Sequence, residues 1–325
     1  MTIRDSVKRT VHALRFHLSK MKKGEHSRLI LLYHGVSSRD LSPINARHLP
    51  AKQFEQHLKY FLKHFDLLSM EEILEAKTRK RPGLALTFDD GFENNLHTAL
   101  PLLEKYKVPA TFFIPSIALE KKFILPSDRI DIVRWGIKEK ALEFAGRTFI
   151  KKGRHRLLEK NTGENIYSYL QRSGPAQTET RLDEFCKRYS FEEHLAACPR
   201  EAYALLDVKQ LEQLSSSPRV TIGSHARTHC ALGPCDPGEL KNELELSKLK
   251  LESCTGKKIN SLAFPYGNYT PGVIKAAENS GYGILLAAGR INKGETVLPR
   301  AAMISGGTFE QNMLHVHRAF EGPGF

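Results

Sequence analysis

Several features that mark large classes of protein are missing from this chain of 325 residues. No apolar run reaches the roughly 18 residues that a membrane-spanning helix needs. Residues 1–10 lack the apolar stretch and the small-residue cleavage site of a signal peptide, which favours a cytoplasmic protein. No internal repeat or low-complexity tract stands out, so repeat architectures are not indicated.

Cysteine is scarce, and its distribution argues against a disulfide framework. The five cysteines are odd in number and form no Cys-x-x-Cys pair. We therefore expect free thiols in a reducing compartment. They are Cys186, Cys198, Cys230, Cys235 and Cys254.

Acidic residues are also in deficit, since 36 Asp and Glu face 49 Lys and Arg, a formal net charge of +13. A nucleic-acid-binding protein would show basic clusters with stacking aromatic side chains, and no such motif is visible, so no nucleic-acid partner is expected. An acidic substrate or an anionic membrane surface explains the charge better. The apolar and charged fractions, 41% and 26%, are ordinary for a soluble globular protein.

Residues 1–28 favour contact with a membrane surface. Apolar residues recur there at three- and four-residue spacing among basic ones, a pattern that predicts a basic amphipathic helix lying peripherally on the inner face of the membrane. A helix packed against the rest of the protein, or a frayed terminus, is the alternative. The apolar positions are Val7, Val11, Leu14, Leu18 and Met21.

Two adjacent carboxylates end a predicted buried strand. The apolar run Leu84–Phe88 is typical of such a strand, and Asp89, Asp90 and Gly91 follow it directly. Like charges at this distance raise each other's pKa, and Asp has a poor strand propensity, so local structure does not require the pair. A divalent metal ion is the usual partner for two such carboxylates, and a plain turn is the alternative.

Two histidines follow another predicted strand. His225 and His229 come after Val220–Gly223, and their i, i+4 spacing would put both imidazoles on one face of a helical turn. Together with one Asp they would leave coordination positions open, as a catalytic metal site needs. Each motif alone is more often structural, but the combination at two strand ends predicts a metal site.

A third segment, Phe264–Gly267, again ends an apolar run in a Pro/Gly turn. Together the three segments resemble the polysaccharide deacetylase family with the NodB-type homology domain, also called carbohydrate esterase family 4. Thr87–Gly91 matches the first family motif and Phe264–Gly267 matches the Pro-Tyr-Gly branch of the third. Ser224–His229 matches the His-x-x-x-His spacing, although Ala226 stands where the family has Ser or Thr.

The resemblance covers Leu29–Ile117 and Val220–Met303, where predicted strands and helices alternate. This alternation implies an α/β fold with a parallel sheet and helices outside it. The resemblance further implies an incomplete, seven-stranded (β/α) barrel. The three motifs would then lie at the carboxyl ends of strands, where barrels keep their sites.

Residues 116–215 interrupt the alternation. Helical periods, for example over Trp135–Phe144, dominate this stretch and strand signals are few. We interpret it as a mostly helical insertion that forms a lid, with a decoration that takes no part in binding as the alternative. The predicted domains are the N-terminal segment 1–28, a barrel made of 29–115 and 216–325, and the insertion 116–215.

The resemblance also implies a role for each motif residue. Asp90, His225 and His229 would hold the metal, whose Lewis acidity acidifies water and polarises a carbonyl group. Asp89 would be the general base. Zinc is the expected metal, while cobalt, nickel and iron remain open.

Two further positions complete the implied site. The backbone N–H of Tyr266 would donate to the oxyanion, with a plain turn as the alternative for its segment. Arg300, in Leu298–Arg300, resembles an arginine that orients the base, although a surface arginine is the alternative.

The general acid has no matching family motif in this chain. Many family members carry a late Leu-x-His-Asp motif, but no Asp follows His315 or His317 here. His34, at the end of the first predicted strand, is the candidate acid or substrate contact, and a histidine bonded in the barrel rim is the alternative. His315 and His317 lie on a C-terminal stretch with the period of a packed helix.

These inferences predict a metal-dependent N-deacetylase that acts on an N-acetylated sugar. The substrate would be a nucleotide- or lipid-linked glycan intermediate at the inner face of the membrane. One alternative is a metal-dependent amidohydrolase that acts on a small non-sugar amide. A non-catalytic saccharide-binding barrel is the other, which the presence of Asp89 disfavours.

Overall fold

The computed structural model describes residues 28–75, 79–153, 155–289, 296–304 and 306–321. Its strands are β1 (Arg28–Tyr33), β2 (Gly35–Ser37), β3 (His48–Pro50), β4 (Asp66–Leu68), β5 (Gly83–Phe88), β6 (Ala110–Ile114), β7 (Ala141–Phe144), β8 (Arg147–Lys152), β9 (Arg156–Glu159), β10 (Val220–Ser224), β11 (Ser261–Ala263), β12 (Ile284–Ala288) and β13 (Val297–Ala302).

The α-helices of the same residues follow most of these strands in the expected order. They are α1 (Ala51–His64), α2 (Met70–Leu74), α3 (Leu100–Tyr106), α4 (Pro126–Gly136), α5 (Ile166–Leu170), α6 (Pro175–Arg188), α7 (Phe191–Ala197), α8 (Val208–Ser216), α9 (Pro237–Lys241), α10 (Ser247–Thr255), α11 (Pro271–Asn279) and α12 (Phe309–Glu321). A π-helical turn, Asn242–Leu246, joins α9 to α10.

Seven parallel strands close into a barrel, which confirms the predicted fold. Their order is β1, β13, β12, β11, β10, β6 and β5, and β5 pairs back onto β1 along its whole length. The short strand β4 adds beside the first half of β5. The barrel strands form because they are mostly apolar, as in β5, where Thr87 is the one polar side chain and all six residues are buried.

Alternate residues of each strand face two different hydrophobic layers. Leu84 and Leu86 of β5 belong to the cluster that includes Phe54 and Phe61 of α1, whereas Ala85 belongs to a second cluster. Burial of a side chain such as Leu86 contributes about 1.5–3 kcal/mol. The period of two is therefore what holds the helices against the barrel.

The strand register brings the predicted motifs to one rim. Tyr33 lies opposite Phe88, and Ser224 lies opposite both Ile114 and Leu262. Since all of these strands run in the same direction, the residues that follow them emerge at the same end of the barrel. The fold thereby assembles motifs that are far apart in the chain.

Residues 116–215 pack around a hydrophobic core separate from that of the barrel. This core includes Ile130, Phe149 and Leu182 and is joined by Leu41 and Ile44 from the segment before β3. The helices α4 to α7 of the insertion accompany an antiparallel sheet of β7, β8 and β9 that the sequence analysis does not predict. The helix expected over Trp135–Phe144 is wrong beyond Gly136, where α4 ends. Leu142 and Phe144 are both buried in strand β7, so this segment has the period of a strand.

Two remaining expectations concern the ends of the chain. Of the predicted amphipathic segment 1–28, residues 1–27 lie outside the described residues, and Arg28 begins β1. The predicted C-terminal helix is present as α12 and packs against α1. None of the described helices combines the length and the apolar character needed to cross a membrane.

Candidate active site

Both aspartates reach the site because the backbone turns immediately after β5. Asp90 and Gly91 have left-handed φ angles of 74° and 65°. The angle is strained for Asp90 and free for Gly91, which has no Cβ. A Cβ on Gly91 would also lie 3.2 Å from the side chain of Ile114. Asp89 and Asp90 are both buried, so their charges require partners.

The two histidines lie on a loop, and the expected helical turn is absent. This loop follows β10, and Ala226 and His229 both have a left-handed φ of 58°. Left-handed residues do not continue a right-handed helix, so a loop, and not the predicted helical turn, brings His225 and His229 together. Their rings have centroids 4.8 Å apart.

A buried glutamate holds this loop. One carboxylate oxygen of Glu243 accepts hydrogen bonds from the N–H groups of Arg227 at 2.9 Å and Thr228 at 2.8 Å. The other accepts from the Thr228 hydroxyl at 2.7 Å. Glu243 lies in the π-helical turn between α9 and α10, and a glutamate within a helical segment gives no sequence signal of this role.

Asp90, His225 and His229 form the cluster that could hold a metal ion among the described residues. One ligand atom from each lies within 4.8 Å of the other two. Asp90 Oδ1 is 3.0 Å from His229 Nε2 and 3.6 Å from His225 Nε2. The structure therefore brings together the three residues predicted as ligands.

The donor set fits a divalent cation. His225 Nδ1 donates to the carbonyl oxygen of Ala263 at 2.7 Å, which leaves the lone pair of Nε2 facing the cluster. Burial lowers the pKa of His225 to about 4, against the opposing effect of Asp89, so this ring is neutral at pH 7. Within the described part of the chain, Asp90 Oδ2 has no hydrogen-bond partner.

Asp89 is held separately, by Arg300 of β13. Arg300 Nη1 and Nη2 donate to the two oxygens of Asp89 at 2.7 Å each, a bidentate pair. Arg300 is only 1% exposed, and its guanidinium also lies over the ring of Phe113. Burial raises the pKa of Asp89, but Arg300 and His225 outweigh it, so the pKa lies below its ordinary value. Asp89 is thus an ionised carboxylate beside the cluster.

The Pro-Tyr-Gly turn lies against the histidines. Tyr266 has a left-handed φ of 59°, and its ring centroid is 4.7 Å from that of His229. Gly267 follows with a φ of 65°, and a Cβ there would come within 3.0 Å of the Ala288 carbonyl oxygen. This segment can therefore present backbone groups next to the cluster.

His34 lies at the same rim, beside Asp89. It follows β1 directly, and the Asp89 N–H donates to the carbonyl oxygen of the preceding residue, Tyr33, at 3.0 Å. Burial lowers the pKa of His34, while Asp90 and Asp89 act in the opposite direction. The late histidine His317 lies on α12, where its Nε2 bonds to the Tyr60 hydroxyl at 2.7 Å.

One arginine at the site is absent from the sequence analysis. Arg47 Nη1 lies 3.8 Å from Asp90 Oδ2, and the same side chain pairs with Asp128 and Asp131 of α4. Burial lowers the pKa of Arg47, but these carboxylates outweigh it and the net direction is upward. No motif surrounds Arg47. The one available signal is the i, i+3 placement of Asp128 and Asp131 on one side of the helix.

Comparisons with known protein sequences agree on one family. A family model described as polysaccharide deacetylase matches residues 76–149 and 150–285. A Bacillus subtilis protein assigned to the polysaccharide deacetylases, YxkH, is 22% identical over 300 residues, which cover 91% of this chain and 71% of that protein. The poly-β-1,6-N-acetyl-D-glucosamine N-deacetylase of Staphylococcus aureus is 31% identical over 110 residues, 29% of this chain and 38% of that enzyme.

Solved structures show the same fold. IcaB from Ammonifex degensii aligns with a TM-score of 0.57 and 14% identity, over 92% of this chain and 99% of that one. The deacetylase PplD of Streptococcus pyogenes, solved in complex with acetate, aligns with a TM-score of 0.55 and 17% identity, over 88% and 97% of the two chains. At these identities the likeness shows the fold alone.

Proposed function

Since the chain belongs to the polysaccharide deacetylase family, we propose that it is a metal-dependent hydrolase that removes the N-acetyl group from an N-acetylated saccharide. One observation carries the proposal. The buried cluster of Asp90, His225 and His229 lies beside a second carboxylate, Asp89, which Arg300 holds apart from it. Amide hydrolysis requires a polarised carbonyl and a base for water, and these two groups of residues can supply them.

Asp90, His225 and His229 are the residues that would hold the ion. When bound, a divalent ion supplies Lewis acidity to the acetyl carbonyl and lowers the pKa of water. His225 is prepared for this role because its hydrogen bond to the Ala263 carbonyl fixes the tautomer with a free Nε2. Zinc is the expected ion for one carboxylate and two imidazoles, and cobalt, nickel and iron suit the same set.

Asp89 is the proposed general base. Its pKa is held below the ordinary value, so it is ionised throughout the neutral range and ready to accept a proton from water. Its Oδ2 lies 3.7 Å from His225 Nε2. At this distance Asp89 could accept a proton from a water molecule bound at the cluster. Arg300 fixes its orientation through both oxygens, which limits the reorganisation needed during the reaction.

Tyr266 and His34 are proposed for the remaining tasks. The backbone N–H of Tyr266 would donate to the oxyanion. The edge-on contact of the Tyr266 ring with the ring of His229 supports this role, because it puts the residue next to the cluster. His34, at the rim beside Asp89, would protonate the departing amine or contact the substrate. Its lowered pKa makes it neutral at pH 7 in the free protein, so the role of an acid requires proton uptake during turnover.

The first saccharide to test is suggested by a relative. The Staphylococcus aureus enzyme named for poly-β-1,6-N-acetyl-D-glucosamine matches 110 residues of this chain. We therefore propose β-1,6-linked N-acetylglucosamine oligomers as the leading substrates. Nucleotide- and lipid-linked N-acetylhexosamines form the second group, in keeping with the expectation drawn from the sequence.

Acetate release tests this proposal. The full chain, loaded with Zn²⁺ or Co²⁺, should release acetate from at least one saccharide of the panel, and treatment with a chelator should abolish the release. The Asp89→Asn variant is the matched control, because it keeps the three proposed ligands and removes the base. Hydrolysis of small non-sugar amides with no activity on any N-acetylated saccharide would instead favour the amidohydrolase alternative.

A further inference from the structure

The insertion reaches the metal-binding side of the site through Arg47. This residue lies in the turn directly before β3, and its side chain is 19% exposed. Its guanidinium contacts Asp128 and lies 3.2 Å from Asp131 Oδ2, both on helix α4 of the insertion. On the other side, Nη1 lies 3.8 Å from Asp90 Oδ2.

The guanidinium of Arg47 is fixed in this position by neutral groups as well. Its Nε donates to Asn45 Oδ1 at 3.0 Å, and its Nη1 donates to the hydroxyl of Ser127. Asn45 in turn donates from Nδ2 to Asp128 Oδ1 at 2.9 Å and to the Ala202 carbonyl oxygen at 3.1 Å. An arginine bonded from several sides loses little freedom when it serves another group.

The carboxylates of α4 also offset the charge of Arg47. A lone cation next to Asp90 would oppose the binding of a metal ion, because like charges repel at this distance. Asp128 is buried and contacts Arg47 directly. Burial raises the pKa of this carboxyl, while Arg47 acts in the opposite direction, and the ionised form is the one that compensates the charge of Arg47. Asp131 has partners of its own in Arg134, at 3.2 Å, and the Tyr167 hydroxyl, at 2.6 Å.

Asp90 needs external support. Its backbone is held at a φ of 74°, a conformation that non-glycine residues rarely adopt. Its Oδ1 faces the Nε2 atoms of both histidines, while Oδ2 has no hydrogen-bond partner among the described residues and faces Arg47. The charge of Arg47 therefore acts on the oxygen that points away from the histidines.

We propose that Arg47 is a positioning residue for the metal ligand Asp90, and that helix α4 of the insertion holds it there through Asp128 and Asp131. The inference rests on the proposed metal-binding role of Asp90. Arg47 orients the carboxylate so that Oδ1 is presented to the ion together with the two imidazoles. The insertion, although it lies outside the barrel, then supports the metal centre, in addition to any role as a lid.

Metal binding by the full-length apo-protein tests the inference without reference to turnover. The double variant Arg47→Gln/Asp128→Asn removes both charges of this pair, so Asp128 is not left as a buried carboxylate without its cation, and Asp131 keeps Arg134. It should lower the affinity for Zn²⁺ by about 10–100-fold, the usual effect of removing a group that supports a metal ligand. The d–d absorption spectrum of bound Co²⁺ should change as well, because it reports how the carboxylate coordinates.

Two further variants separate positioning from general support of the insertion. Arg129, also on α4, pairs with Glu179 at 2.8 Å and Asp183 at 3.3 Å within the insertion. Arg129→Gln should lower the thermal midpoint at most and leave Zn²⁺ affinity and the Co²⁺ spectrum unchanged. Arg47→Lys keeps the charge without the guanidinium fork, so it should show a smaller loss of Zn²⁺ affinity than the double variant. If the double variant does not fold, the affinity of Arg47→Lys tests whether Arg47 positions Asp90.

Folded Arg47 variants that bind Zn²⁺ and Co²⁺ as the unmodified protein does would overturn this inference alone. If the unmodified protein binds neither ion, the proposed function fails and the inference fails with it. A loss of affinity that Arg129→Gln reproduces would show that α4 merely stabilises the fold. That result too would overturn the assignment of Arg47 as a positioning residue.

Discussion

Two arginines flank the candidate site, and they come from different parts of the molecule. Arg300 belongs to a barrel strand and donates from Nη1 and Nη2 to Asp89, the proposed base. Arg47 precedes the short strand β3, faces Asp90 on the metal-binding side and is held by the insertion. The barrel therefore holds the carboxylate proposed as the base, whereas the insertion holds the arginine that faces the proposed metal ligand.

This difference predicts that substitutions of the two aspartates have different effects on metal occupancy and on deacetylation, and the larger effect is expected for Asp90. Asp90→Asn removes the charged ligand, so both metal occupancy and deacetylation should fall to background. His225→Ala should likewise cause a sharp loss of metal, because it removes a second member of the cluster. Metal analysis of the purified variants checks both. Full occupancy in His225→Ala would disprove the ligand assignment.

The barrel side is tested by Asp89→Asn. This variant should retain the metal and lose activity by about 10²–10⁴-fold, the usual contribution of a general base. Occupancy and acetate release should be measured on the same samples. If Asp89→Asn loses the metal while Asp90→Asn keeps it, the roles of the two carboxylates are reversed.

Arg300 should affect the pH dependence rather than the metal. As the proposed base, Asp89 would act in its ionised form, and Arg300 holds its pKa below the ordinary value against the effect of burial. Arg300→Gln removes that opposition, so the pKa rises and the acidic limb of kcat/KM should move to higher pH by about 1–3 units. Arg300→Lys is the matched control, with a smaller shift because the charge is kept. An unmoved limb in both variants would separate Arg300 from the base.

The smallest expected effect concerns His34. His34→Ala should reduce deacetylation by about tenfold or more if it acts as the acid, since general acids contribute at least this much. Metal occupancy should remain unchanged, and the basic limb of the pH–rate profile should flatten. The comparison variant is His317→Ala, whose ring bonds to Tyr60 on α1. Normal activity in His34→Ala together with loss in His317→Ala would move the acid to the late histidine.

The contrast between barrel and insertion also explains what the sequence could reveal. The barrel strands were predictable because runs such as Leu84–Phe88 are apolar and end in Asp, Gly or Pro, where a parallel strand must stop. The metal cluster was predictable as well, because Asp90 and His225 come just after such strands. The predicted helical turn for the histidine pair is wrong, because Ala226 and His229 have left-handed φ angles. The loop between them is held by Glu243, which is not adjacent in the sequence.

The insertion was less predictable for a related reason. Ala141–Phe144 has only four residues, so its period of two could not be distinguished from a continuation of the preceding helix. The role of Arg47 depends on Asp128, which lies 81 positions away in the chain. Sequence periodicity reports which face of an element is apolar, and it carries no information about which buried charges meet across domains.

Titration of the chelator-treated protein with Zn²⁺, with bound metal and acetate release followed in the same samples, tests the central claim most directly. We expect the rate of acetate release from β-1,6-linked N-acetylglucosamine oligomers to rise in proportion to bound Zn²⁺ and to level off at one ion per chain. Asp89→Asn should bind the same single ion without releasing acetate. Acetate release by the metal-free protein, or full occupancy without activity on any N-acetylated saccharide, would contradict the account.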